Sequence, residues 1–450
     1  MPMNYANFAI CVFLSHFIAT KGVGSGWTEE TPPAKLLGMT THQAAPRVDV
    51  LLVGGGFIGL TLAAALAQSG LRCAVIDREK ATTALDDKFD GRTSAIAFGS
   101  ARALRTLGIW RRLEEFAEPI LEIRVSDNNA PFFLHYDHRE LDPALRDEAL
   151  GFIVENRDIR RALFAHAAEC RGLEFESGIS VVSLERSQSG VAATLSDGRV
   201  IEADLAIAAD GRDSQIRRDA GIPVARWSYP QTAIVCTVAH EKDHCGIAHE
   251  RFLPAGPFAI LPMKNRRSSI VWTERSSEAP RILKLDAAGF KAELERRFGD
   301  FLGKLEVVGP RWSYPLGLVH ADRYVDRRLA LVGDAAHAIH PIAGQGLNLG
   351  LRDVAVLAEV LADDKRAGRD IGAPEVLARY ERWRRFDAFA LIAATDGLNR
   401  LFSNDIGPLR LVRDLGLAAV NRMPALKRLF MRHAMGLVGD LPRLMRGEPL

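Results

Sequence analysis

The sequence predicts an α/β fold: a domain built on a parallel sheet, an inserted and mostly antiparallel β-sheet lobe, and a helical C-terminal region. Three observations predict it. The apolar run Val48-Asp-Val-Leu-Leu-Val53 enters the glycine loop Gly54-Gly-Gly56-Phe-Ile-Gly59. A distant apolar run, Leu329-Ala-Leu-Val, ends in Gly333-Asp334 and is followed by Gly344-Gln345-Gly346. Between the two lie strand-like runs broken by Gly and Pro, and after them the chain reads as helix.

Taken in order, Phe8 to Ala19 is an apolar run of signal-peptide length with no basic residues ahead of it, and it is shorter than the roughly 20 residues of a membrane span. A Gly-, Pro- and Thr-rich stretch separates it from Met39, which directly precedes the first patterned segment. We therefore expect residues 1–45 to be a poorly ordered extension, with translation starting at Met39. The strand ending at Val53 and its glycine loop lead into a helical run closed by Gly70, and Cys73-Ala-Val-Ile-Asp77 is a second apolar strand ending in an acid. That spacing fits a Rossmann-like βαβ unit. Gly54, Gly56 and Gly59 permit a tight turn and close approach of a pyrophosphate to the helix N-terminus, and Asp77 accepts hydrogen bonds from a ribose.

Further along come Asp90-Gly-Arg92-Thr-Ser-Ala-Ile, Glu155-Asn156-Arg157 before an amphipathic helix, and the apolar run from Asp204 to Asp210-Gly211-Arg212. Ala233–Val238, Phe258–Pro262 and Ser269–Trp272 read as strands, a stretch from about Asp286 to Phe301 as helix, and Trp312-Ser-Tyr-Pro-Leu-Gly leads back toward the first domain. A carboxylate such as Asp334 at the end of a buried strand is costly unless it is hydrogen-bonded, and Gly344-Gln345-Gly346 opens a helix whose free amides face that site. The C-terminal helical stretches are basic, at Arg379–Arg385, Leu409–Leu415 and Leu426–Arg432. They read either as helices packed on the first domain with solvated arginines or as a membrane-surface face.

With 450 residues, 48% of them hydrophobic and 25% charged, the chain can bury a large core and is too long for one simple domain. A net charge of +2 gives no global attraction to nucleic acid, and no basic-aromatic module is visible. Five cysteines without CxxC spacing argue against a disulfide framework or a metal site and fit a reducing compartment.

Together these motifs resemble the FAD-dependent aromatic hydroxylases, single-component flavoprotein monooxygenases. His340-Pro341-Ile-Ala-Gly344-Gln345-Gly346-Leu-Asn348-Leu-Gly-Leu-Arg-Asp353 is similar to the signature of the ubiquinone-biosynthesis hydroxylases. The Arg92 and Glu155-Asn156-Arg157 segments match the same subfamily, and the resemblance runs from about Val48 to the C-terminus. It implies a discontinuous FAD-binding domain from 46–127, 145–222 and 325–362, a substrate lobe over 223–324 and a helical region over 363–450.

It also implies roles. Gly54, Gly56, Gly59 and Asp77 hold the ADP part of FAD; Arg92, Asn156 and Arg157 touch the cofactor; Asp210 and Gly211 organise the phosphate region; and Asp334 accepts from the ribitol. Pro341, Gly344, Gln345, Gly346 and Asn348 position the flavin, whose reduced charge the helix amides stabilise as an oxyanion hole does. His337 and His340 invite an acid-base role, but orientation of the loop is the preferred reading, because Pro341 and the backbone amides account for the site without them.

The implied reaction uses NADH or NADPH, bound transiently because no second glycine-rich motif is visible, and O2. It passes through a flavin C4a-hydroperoxide and hydroxylates the ring of a polyprenylated phenol in ubiquinone biosynthesis. Partners implied are that substrate, a biosynthetic complex and peripheral contact with the inner membrane from the cytoplasm. The alternatives are a hydroxylase of a small soluble aromatic, a same-fold reductase or halogenase, the last disfavoured by the absence of a Trp-x-Trp-x-Ile-Pro motif, and a non-catalytic flavin-binding scaffold.

Overall fold

The computed structural model describes residues 47–86, 91–127, 133–339, 344–402, 420 and 422–450. The extension expected over 1–45, the Met39 start, Asp90, His340, Pro341 and the Leu409–Leu415 segment lie outside the described residues. The account below concerns the unit from Ala45 onward.

The first sheet is parallel at its centre, where strand Arg47–Val53 lies between Cys73–Asp77 and Val200–Ala208. Leu173–Ser177 adds beyond the second strand and Leu329–Leu331 beyond the third, all parallel. Five strands are thus gathered from three separated stretches of chain, and the inner ones carry buried apolar runs, Val50–Val53, Cys73–Ile76 and Leu205–Ala208, because helices cover them. Helix Phe57–Gln68 is apolar nearly all round, as a helix buried between the sheet and helix Gln345–Arg366 must be. It ends as the sequence predicts, with Ser69 at its cap and Gly70 at φ +87°.

The second sheet is mostly antiparallel, built on two 17-residue strands, Val224–His240 and Leu305–Ala321, followed by Arg267–Arg275, Gly256–Met263 and Ile247–Leu253. Helix Ala287–Phe298 covers one face, capped by Asp286, whose carboxylate accepts from the Gly289 amide at 2.7 Å.

One boundary needs correcting. Strand Glu122–Asp127, expected with the FAD-binding piece 46–127, pairs instead in parallel with Ile247–Leu253 and carries Phe133–Asp137 with it, extending the second sheet. The pairing partner lies more than a hundred residues away in sequence, so no local pattern announces it. A small third sheet, Thr93–Ala97 and Glu118–Ile120 on either side of Gly151–Glu155, joins the two larger ones. Thr93 bonds across to Ser269 of the second sheet, hydroxyl to hydroxyl at 2.9 Å.

The C-terminal part is helical, with Pro374–Phe402, Pro424–Ala434 and Arg443–Arg446. Its basic residues are largely spent within the fold. Arg384 is fully buried on Asp353 and Asp387, Arg379 pairs with Asp364, and buried Lys427 pairs with Glu140. Phe386, Phe389, Leu429 and Phe430 nonetheless stay exposed. Among the described residues no helix is long and apolar enough to cross a membrane.

Candidate flavin and substrate site

Register brings the three fingerprints together. Val53 pairs with Ala208, and Ala208 with Leu331, so these parallel strands end in one row. The turns Gly54–Gly56, Asp210–Gly211 and Gly333–Asp334 therefore project side by side from the carboxyl edge of the sheet, where α/β folds bind ligands.

At the first turn Gly54 sits at φ +108°, and a Cβ there would run into the Ala209 carbonyl, so only glycine fits. Helix Phe57–Gln68 then starts from Gly56 with no side-chain cap and no acid in its first turn, and a Cβ on Gly56 would meet nothing within 4 Å. Uncapped amides facing open space fit a phosphate group. Gly59 packs against the Gly54 carbonyl. Asp77 accepts from the Gly55 amide at 2.6 Å and the Glu79 amide at 2.7 Å, one per oxygen, which leaves lone pairs for ribose hydroxyls.

At the second turn one oxygen of Asp210 accepts from the Gln215 and Ile216 amides at 2.8 and 3.3 Å, while its other oxygen, Oδ1, is buried without a partner. Gly211 follows at positive φ. Arg217, 1% exposed, donates to the carbonyls of Ala335 at 2.7 Å and Arg212 at 2.9 Å, tying the second turn to the third. At the third turn Asp334 is exposed to the groove yet ringed by protein. Burial raises its pKa against the pull of Arg212, His337 and Arg92. A buried carboxylate oxygen without a donor and a second acid in a concave groove are what a ligand rich in hydroxyls satisfies, so the residues fit FAD.

Behind Asp334 lies a buried knot. Asp353 accepts from the Gly333 amide at 2.9 Å, pairs with His337 Nε2 at 2.7 Å and accepts from Arg384 Nε at 2.7 Å. Burial alone would raise the Asp353 pKa, but His337 and Arg384 outweigh it and hold the carboxyl below its usual range. His337 thus orients the turn.

Gly344 starts helix Gln345–Arg366 in the left-handed region, φ +63°, where a Cβ would lie 2.8 Å from that of Ala95. Asn348 clamps this turn to strand Thr93–Ala97: its Oδ1 accepts from the Ala97 amide at 2.8 Å, and its Nδ2 donates to the carbonyls of Ala95 at 2.9 Å and Gly344 at 3.2 Å. Gln345 and Gly346 form the first turn of the helix, with open space above Gly346. The Arg92 guanidinium lies 4.7 Å from the centre of the Tyr314 ring. Asn156 is buried and accepts from Ser94 Oγ at 2.7 Å, and Arg157 pairs with Glu155 at 3.2 Å. Glu122, His135 and Asp137 cluster closely enough to suggest metal ligands, but Arg124 and Arg139 neutralise them.

Sequence reasoning found no substrate pocket, and the structure has one. A cavity of about 350 Å³ opens between the Gly344–Gln345 turn and the second sheet. Its walls are almost wholly apolar, with Ile123, Val125, Leu134, Phe252, Leu261 and Val271 prominent. The period-2 alternation of the strands was the available signal, but which face meets the flavin turn depends on distant pairing.

Residues 47–395 match the family model described as an FAD binding domain. The chain is 53% identical over 421 residues, 93% of its length and 97% of the relative's, to ubiquinone hydroxylase UbiL of Rhodospirillum rubrum. It is 35% identical over 391 residues to 3-demethoxyubiquinol 3-hydroxylase of Escherichia coli, covering 86% of this chain and 98% of that one. Among solved structures, p-nitrophenol 4-monooxygenase PnpA of Pseudomonas putida superposes with a TM-score of 0.73 at 19% identity, over 88% of this chain and 99% of that one. That likeness speaks for the fold.

Proposed function

The chain belongs to the FAD-binding-domain family, in its ubiquinone-hydroxylase branch, and on that premise we propose that it hydroxylates the aromatic ring of a polyprenylated phenol on the route to ubiquinone. Bound there, FAD reduced by NADH or NADPH would activate O2 so that one of its oxygen atoms can be transferred. The observation that carries the substrate class is the apolar cavity of about 350 Å³ against the Gly344 turn, which suits a greasy phenol better than a charged one.

The chain's own residues bind, orient and exclude water. The uncapped amides after Gly56 take the pyrophosphate beside Gly54 and Gly59, and Asp77 takes the adenosine ribose. Asp210 Oδ1 and Gly211 serve the phosphate region, Asp334 accepts from the ribitol, and Arg92, Asn156 and Arg157 flank the cofactor. The amides of Gln345 and Gly346 stabilise negative charge on the ring, where one such donor is typically worth about 3 kcal/mol. Asn348 serves the cofactor through the turn it clamps. In this reading the FAD-binding part is 46–121, 145–222 and 325–362, with 122–127 given to the substrate lobe.

A prenyl tail has to be delivered from a lipid phase. Exposed Phe386, Phe389, Leu429 and Phe430 support peripheral contact at the inner membrane face, alone or within a biosynthetic complex. Flotation of the protein with anionic vesicles, lost in F386E/F389E, is the expected result; equal flotation of the two counts against it.

The test of function is turnover of the purified holoprotein with NADH or NADPH, a prenylated phenol and 18O2. One labelled oxygen in the product supports the reading. Product formed anaerobically, or equal rates on phenol without its tail, overturns it.

A further inference from the structure

Strand pairing places one acid at the centre of the cavity wall. Val125 pairs with Leu134 and with Glu250, Glu250 pairs with Ala259, and Ala259 with Val271. Laterally paired residues share a sheet face. Leu134, Val125, Glu250, Ala259 and Val271 therefore form one row, and all five line the cavity. Four are hydrocarbon and the middle one is a carboxylic acid. Among the described residues no hydrogen bond or ion pair reaches the Glu250 carboxyl. Its neighbours along the strand do not serve it. Ala248 and Phe252 share its face, while the His249 ring packs on Phe301 at 4.7 Å.

An acid in such a wall lowers stability unless it does something else, since the site gains nothing from a charge it does not pair. Resting on the reading above, we propose that Glu250 is the catalytic base of this cavity, accepting the hydrogen bond and then the proton of the substrate's phenolic hydroxyl.

The step balances as follows. The phenolic O–H bond breaks and an Oε–H bond forms on Glu250, and the electron pair left behind moves through the ring to the attacked carbon. That carbon bonds the oxygen atom drawn from O2; NAD(P)H supplies the two electrons, and the second oxygen leaves as water. The carbon then loses its own hydrogen as a proton, aromaticity returns, and Glu250 gives its proton back to the phenolic oxygen.

Burial raises the Glu250 pKa to about 7, so the carboxylate forms near neutral pH, where a base is most useful. The other titratable groups around the cavity do not compete. Burial pushes the Tyr136 phenol up to about 12 and the His249 imidazole down to about 4, the latter helped by Arg124 and Arg251. The flavin side presents Gly344, the neutral amides Gln345 and Asn348, and Ala434. Asp127, opposite Phe252 in the next row, does not line the cavity.

The test uses the FAD-loaded protein with 2-farnesylphenol as the probe. In the wild type the single-turnover hydroxylation rate should rise with pH through about 7. E250Q keeps the shape but cannot take a proton, so its rate should fall about a hundredfold or more and lose that pH dependence. A second readout needs no turnover. The ultraviolet difference spectrum of bound 2-farnesylphenol should shift to the red above the same pH in the wild type, as a phenol donating to a carboxylate does, and stay fixed in E250Q. Labelled product from the wild type with an unchanged rate, pH profile and spectrum in E250Q overturns this proposal alone. No labelled product from the wild type overturns the proposed function and this inference with it.

Discussion

At the scale of single residues, two buried acids behave oppositely because one is paired and the other is not. Glu250 has a folded pKa of about 7 against an ordinary 4.5, so the folded state holds its proton more tightly than the unfolded chain does. Its contribution to stability is therefore complete below about pH 4.5 and is lost as pH rises through about 7, on the order of 3 kcal/mol. Urea midpoints at pH 5 and pH 8 should show E250Q gaining on the wild type only at the higher pH; a constant difference would refute this. Asp353, by contrast, is fully buried and holds His337, Arg384 and the Gly333 amide together. Asp353→Asn leaves the buried Arg384 with Asp387 alone of its two carboxylate partners and should cost about 3 kcal/mol in chemical denaturation, with weaker FAD binding because the Asp334 turn loses its anchor.

At the scale of elements, the site depends on helix Phe57–Gln68 crossing helix Gln345–Arg366 closely enough to set their N-terminal ends on one groove. The crossing is keyed by Ile58, which sits against Gly333 and Gly350. A Cβ at position 350 would lie 2.7 Å from Ile58 Cδ1. Gly350→Ala should cost about 1–3 kcal/mol and weaken FAD binding, while Ile58→Ala makes room, so the double variant should be better than the sum of the two by about 1 kcal/mol. Additive losses in fluorescence titration of FAD would show that the helices do not key there. These elements were legible in the sequence because each carries its own signal: an apolar run, then glycine, then an acid at the strand end. Arg217 was not, although its fully buried guanidinium joins two turns, because an arginine in a short helix looks like a solvated one. Nor was the grouping of Glu122–Asp127, since that strand alternates like any half-buried strand and its partner is chosen by tertiary packing.

At the scale of the whole molecule, the last residues close the fold over its own beginning. Leu444 and Met445 are each 1% exposed, Arg443 pairs with Glu359 and Asp363, and helix Arg443–Arg446 packs on helix Phe98–Thr106. Removing residues 443–450 deletes two buried apolar side chains, uncovers the surface of helix Phe98–Thr106 beneath them and should cost about 3–6 kcal/mol, seen as a drop in Tm with FAD released in the same transition. A truncated chain that melts like the full one would show the tail to be ornamental. Composition and motif predicted the class of molecule and the cofactor edge of the sheet. The cavity escaped because the second sheet alone brings five strands to its wall, whose side chains meet only through register.

The row Val53, Ala208 and Leu331 also sets an order of events at birth. When Gly54 leaves the ribosome, the stretch bearing Asp334 has not been made, and at roughly 5–20 residues per second it follows only after a delay of tens of seconds. Flavin capture is consequently one of the final acts of biogenesis. The nascent chain must wait with the Ala206–Ala208 edge of its sheet unpaired, a window in which chaperones matter more than cofactor supply.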